Sequence, residues 1–162
     1  MKGDFSKDSF HPEKHFHDVL MQQGRVLLDA EWNEQASINA YRTETGVRDI
    51  VGKSGTPFDE TNLEGGFQIL PANGNADVTI TKGHYYVDGI LCENESNVLF
   101  VNQPDLNAEV LPTSNANGDG DYLFYLDVWK RHITVLEDSA IKEVALGGPD
   151  TTTRIKTIWQ VK

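Results

Sequence analysis

Met21-Gln22-Gln23-Gly24-Arg25-Val26-Leu27-Leu28-Asp29-Ala30-Glu31-Trp32-Asn33-Glu34 is the stretch whose reading decides the fold. A short extended run turns at Gly24, a second extended run follows at Arg25–Leu28, and a helix then begins. Asp29 is placed to cap it, because a side-chain oxygen there accepts from the free N–H groups of the first turn. Glu31 and Glu34 suit the positive end of the helix dipole. Small or apolar residues recur at Trp32, Ala36, Ala40, Val47 and Ile50–Val51, with one polar gap at Thr43. Steps of three and four make these one stripe on a helix running to about Asp49. The other face carries Glu31, Glu34, Gln35, Arg42 and Glu44 and is expected to be wet. The stretch is architecture rather than chemistry, and Trp32 is expected to lie buried against a sheet.

Before the helix, Phe5, Phe10 and Phe16 are separated by polar residues and by Pro12. Three aromatics so spaced share no helix or strand face, so residues 1–18 read as an irregular arm. Its rings are anchors for a core, either this domain's own or a neighbouring subunit's. After the helix, Gly52-Lys53-Ser54-Gly55-Thr56-Pro57 has the composition of a loop. From Phe67 onward the pattern is β. Phe67–Leu70 and Val78–Thr81 are expected strands around a turn at Asn73-Gly74-Asn75. Lys82–Val87 and Ile90–Glu93 flank Asp88-Gly89, the chemistry of a tight hairpin turn in which both central residues take positive φ. Further strands are expected at Val98–Val101 and Ile155–Lys162, and Tyr122–Trp129 with Ile133–Leu136 alternates as one long strand or a strand pair. Glu137–Leu146 suggests a short helix, and residues 102–121 form a long polar excursion.

The chain has 162 residues, 38% hydrophobic and 24% charged, which suits one ordinary globular domain over 1–162. A formal net charge of −11 argues against a nucleic-acid surface, which needs clustered Lys and Arg. No apolar run approaches a bilayer span, and the polar start Met1–Asp8 lacks a signal-peptide core. Cys92 is the only cysteine, so there is no intrachain disulfide, and the Asn94-Glu95-Ser96 sequon reads as accidental. The strand pattern of the last residues runs up to the C-terminus, which suggests the leading part of a longer protein.

Signals for chemistry are weak. Gly52-Lys53-Ser54 lacks the glycine that a phosphate loop places five residues earlier, where Val47 stands. Asn115-x-Asn117-x-Asp119-Gly120 begins like a calcium loop, but the closing carboxylate position is Leu126, leaving Asp119 and Asp121 as weak candidate metal ligands. His11, His15 and His17 lie close together without a ligand spacing and read as solvated. His84 and His132 stand beside strand aromatics. No nucleophile elbow is present, and Cys92 falls inside an expected strand. Asp88 and Asp127 are the one pair of strand-associated carboxylates that would suit acid/base work. No cofactor is called for.

The N-terminal block Met1-Lys2-Gly3-Asp4-Phe5-Ser6-Lys7-Asp8-x-Phe10-x-Pro12-x-Lys14-His15-Phe16, continued by Val19–Arg25, Val26-x-Leu28-Asp29-Ala30-x-Trp32-Asn33-Glu34-Gln35, resembles the start of a bacterial family of uncharacterised function. The genes of that family lie beside phage-tail-like contractile injection systems and prophage clusters. Ala145–Asp150, Thr151-x-Thr153-Arg154 and Trp159-Gln160-Val161 are similar to its next block. The Tyr86-Val87-Asp88-Gly89 hairpin is similar to turns of phage baseplate and tail-fibre proteins. The resemblance implies a structural part of a tail-like particle and brings no catalytic residues. Members are often longer than this chain.

The expected fold is therefore α+β: an N-terminal arm (1–18) and one long helix (29–49) packed on a mainly antiparallel β-sheet or sandwich (67–162). The leading function is a non-enzymatic assembly module that docks a fibre, spike or baseplate component. It would be made in the bacterial cytoplasm and built into a phage or phage-tail-like particle as a homo-oligomer, without nucleic acid or membrane insertion. Phe5, Phe10 and Phe16 are the expected interface. Gly24, Asp29, Trp32, Asp88 and Gly89 are the expected structural positions. The alternative is a carbohydrate- or cell-surface-binding module with Trp129, Tyr85 and Tyr122 as a sugar platform. The third reading is a glycan hydrolase using Asp88 and Asp127.

Overall fold

The computed structural model describes residues 3–58, 65–72, 77–108, 111, 122–147 and 150–162. The expected turn at 73–75 lies outside them. The arm is irregular apart from one 3-10 turn at Pro12–Lys14, which proline starts well because its missing N–H would have no partner there. Helix α1 spans Asp29–Val51. Its N-cap is Leu28 and not the expected Asp29. Asp29 is the first helical residue, and its carboxylate accepts from Ser6 of the arm. Glu31 instead reaches back toward the Leu28 N–H, at 3.4 Å.

Among the described residues there are eight strands: β1 (Ser54–Gly55), β2 (Ile69–Ala72), β3 (Asp77–Ile80), β4 (Gly83–Val87), β5 (Ile90–Asn94), β6 (Val98–Leu99), β7 (Leu126–Ile133) and β8 (Arg154–Val161). They form antiparallel sheets ordered β1-β4-β5, β2-β3-β6 and β7-β8. The β4–β5 hairpin is as the sequence implies. Val87 pairs with Ile90, and Asp88 and Gly89 both take positive φ, 50° and 84°. β1 lies in the stretch expected to be a loop. Ser54 and Gly55 pair with Val87 and Tyr86, and Asp88 N–H donates to Lys53 O at 2.7 Å. The open edge of β4 recruits a segment whose own composition does not ask for a strand.

The second half departs from expectation in two places and settles one alternative. The strand at Val98 ends at Leu99 and passes into a 3-10 turn over Phe100–Asn102. Of the two readings open for residues 122–136, the single long strand is the one formed: Leu126–Ile133 is continuous, because β8 supplies a partner for all eight positions. Glu137–Leu146 forms two separate 3-10 turns, at Ser139–Ile141 and Val144–Leu146. Asp138 and Glu143 accept from the N–H two residues ahead, which starts each turn anew and interrupts a continuous helix.

The core sits where the three sheets converge, around Phe67, Ile80, Cys92, Phe100, Trp159 and Val161. Phe67 meets Trp159 edge to face at 4.9 Å, and the indole N–H donates to Glu93 O at 2.8 Å. Buried amides close the gaps in the backbone pairing. Gln103 accepts from Val161 N–H at 2.7 Å and donates to Val161 O at 2.8 Å, standing in for a neighbouring strand. Asn94 donates to Thr81 O at 2.9 Å. Helix α1 packs outside this core, against the hairpin and β7. Arg48 pairs with Asp88 at 2.8 Å, and Lys130 pairs with Glu44. The expectation that Trp32 is buried on the sheet is overturned: Trp32 is 62% exposed, whereas Trp159 is 4% exposed.

Candidate docking surface

The helix has two faces, and the one turned inward is not the apolar stripe. Ala30 and Ile38 are buried and Glu34, Ser37 and Thr45 half-buried, on the side roughly opposite Trp32. The contact with the hairpin is close. A Cβ added at Gly89 would lie 2.0 Å from the Glu44 carbonyl oxygen. At that end Glu44, Thr45, Gly46 and Val47 are half-buried, and a ring as large as that of Trp32 has no room on a face held so near. The helix therefore presents Trp32, Ala36, Ala40, Thr43 and Ile50 to solvent, with Ile50 87% exposed. Val47 alone of the stripe is half-buried. From Trp32 to Ile50 the strip runs about 27 Å at 1.5 Å per residue. The connector extends it with exposed Leu20, Met21, Val26, Leu27 and Leu28.

The arm is strapped across the helix by side chains that accept from it. Ser6 donates its backbone N–H, at 2.9 Å, and its hydroxyl to the two oxygens of Asp29. These two bonds hold the Asp29 carboxyl below its ordinary value. Ser9 hydroxyl donates to Glu34 at 2.7 Å, and Val19 N–H donates to Gln35 Oε1 at 2.7 Å. Of the three expected interface rings, Phe5 is half-buried against His132 at 6.0 Å, and Phe10 is half-buried against Tyr41 at 5.8 Å. Both contacts lie within the chain. Phe16 is exposed, with the Lys14 ammonium 6.0 Å from its ring. No local sequence pattern announces the clips of Ser6 and Ser9, whose carboxylate partners lie 23 and 25 residues away, or that of Gln35, 16 residues from Val19.

The remaining candidates are dispersed. Asp88 is tied to Arg48, while Asp127 is bound by Lys162 at 2.6 Å, a hydrogen bond that holds the Lys162 ammonium above its ordinary value. Each carboxylate thus has its own cation on a different element. The three aromatics of the sugar reading also have separate neighbours. Tyr85 meets Phe67 at 6.1 Å, Tyr122 meets Phe124 at 6.5 Å, and Trp129 lies 6.0 Å from the Lys162 ammonium. His11 and His17 pair with the adjacent Glu13 and Asp18. Asp119 and Asp121 lie outside the described residues. Among the described residues, no three His, Cys, Asp or Glu gather in a way that could hold a metal ion. Cys92 is fully buried and its thiol is pushed up to about 11, so it packs as a small hydrophobe. No helix is long and apolar enough to cross a membrane among the described residues.

Compared with known proteins, residues 1–162 match the model of a family described as a family of unknown function, DUF6519. No curated protein and no solved structure matches the chain.

Proposed function

The chain belongs to that family, and we propose that it is a non-enzymatic assembly module of a phage-tail-like particle, docking a fibre, spike or baseplate component. One observation carries the docking role: all of the α1 stripe except half-buried Val47 is exposed between Trp32 and Ile50, with Trp32 62% and Ile50 87% exposed. Its members share one helix face, which distinguishes it from scattered surface leucines. Burying each large side chain contributes about 1.5–3 kcal/mol, and an exposed tryptophan is the commonest kind of interface anchor. The particle context is supported by the resemblance of the N-terminal block.

The occupant is a protein subunit with an apolar ridge or groove and a basic rim. The chain carries 25 acidic against 14 basic residues, and α1 itself has five carboxylates against two arginines. With Arg48 paired to Asp88 and Glu44 to Lys130, the helix keeps Asp29, Glu31, Glu34 and Asp49 against Arg42 and is negative. The test is assembly with a charge placed on the stripe. Trp32→Glu with Ile50→Lys leaves the thermal unfolding of the free domain unchanged and abolishes incorporation into particles. Normal incorporation of that folded double variant refutes the proposal.

A further inference from the structure

We infer that the N-terminal arm is an exchangeable element: in a dimer of this chain, residues 3–19 of each copy lie on helix α1 of the other. The inference does not rest on the particle role and is read by mass and cross-linking alone.

Two observations carry it. The first is the surplus length of the connector. The last clip of the arm, Val19 on Gln35, lies only six residues along α1 from its start at Asp29, about 9 Å. The nine residues Leu20–Leu28 span about 30 Å when extended. The chain takes up the excess by doubling back at Gln22–Arg25, where Arg25 N–H donates to Gln22 O at 3.3 Å and Gly24 takes φ 71°. No atom lies within 4 Å of a Cβ built on Gly24, so the turn projects into solvent.

The second is the chemistry of that connector. A loop that merely joins two elements is expected to be polar, yet Leu20 is 85% and Val26 82% exposed, beside exposed Met21, Leu27 and Leu28. Closed within one chain, these side chains stay in water. When the Gly24 turn opens, two extended connectors can run antiparallel. Val19-Leu20-Met21 of one then faces Val26-Leu27-Leu28 of the other. The clips on Asp29, Glu34 and Gln35 and the ring contacts of Phe5 and Phe10 are the same whichever copy supplies the arm. Exchange therefore keeps every arm contact and adds burial of the connector.

The experiment uses the full chain. Ser9→Cys is introduced into a size-tagged version and Glu34→Cys into an untagged one, since Ser9 and Glu34 touch in the docked arm. The two proteins are mixed at high concentration and treated with a short bis-maleimide, while light scattering follows the mass of the unmodified chain. The buried Cys92 stays out of this reaction. Exchange predicts a dimer that grows with concentration, a cross-linked product of one tagged and one untagged chain, and loss of both on deleting residues 3–19. A monomer at every concentration overturns the inference. A dimer that yields no tagged–untagged product overturns it as well, because the copies then associate through another surface.

Discussion

Trp159 and Trp32 sit in regions built on opposite principles. Around Trp159 the sheets bring aromatic edges together and answer each buried polar group, with Gln103 and Asn94 standing in for missing strands. Around Trp32 the rings and leucines face water, and the arm is held to the helix largely by exposed polar clips. Close packing cannot yield locally without loss, whereas a set of clips can open and reform. The β region is thus suited to be the stable scaffold, and the arm to be the part that opens at lower cost.

The contrast is most directly broken by the two tryptophans. Trp159→Ala is expected to destabilise by about 3–5 kcal/mol, as deletion of a buried aromatic does, while Trp32→Ala stays within about 1 kcal/mol. Urea titration followed by circular dichroism measures both. Equal losses would mean that the helix stripe belongs to the core after all.

Next in size is the joint between the regions. Gly89→Ala combines strain at positive φ with overlap on the Glu44 carbonyl, and is expected to cost about 1–3 kcal/mol. Exchange protection should fall at residues 44–48 while persisting in β7 and β8. Unchanged protection in α1 would show that the helix does not depend on this contact.

The smallest effect belongs to the clips. Docking lowers the Asp29 carboxyl below 3.8 through its bonds from Ser6, so the contribution of this clip is present above that value. It is lost as the pH falls below 3.8 through the lowered value of the docked state. Amide exchange or limited proteolysis of residues 5–19 is expected to report arm opening over that acid range. Asp29→Asn should remove the pH dependence and loosen the arm at neutral pH. An arm equally protected in Asp29→Asn would show that the clips on Glu34 and Gln35 and the Phe5 and Phe10 rings hold it without the Ser6 clip.

What the sequence determined by itself is local. Asp88-Gly89 dictates its turn, because few other pairs tolerate positive φ twice, and Gly24 dictates another. The period of small and apolar residues placed a helix within two residues of its observed end, and the β-branched and aromatic runs flanking Asp88-Gly89 located β4 and β5. Tertiary structure decided everything that depends on a partner. Periodicity defines a stripe on α1 but not what covers it, since a stripe closed within the chain and one left for another subunit have the same spacing. Asp29 has the chemistry of a helix cap, yet Ser6 claims its oxygens, and the short Ser54-Gly55 segment becomes a strand because β4 offers an edge. In each case a group that can bond locally is taken by a distant one. Only the folded chain decides which of the two is nearer.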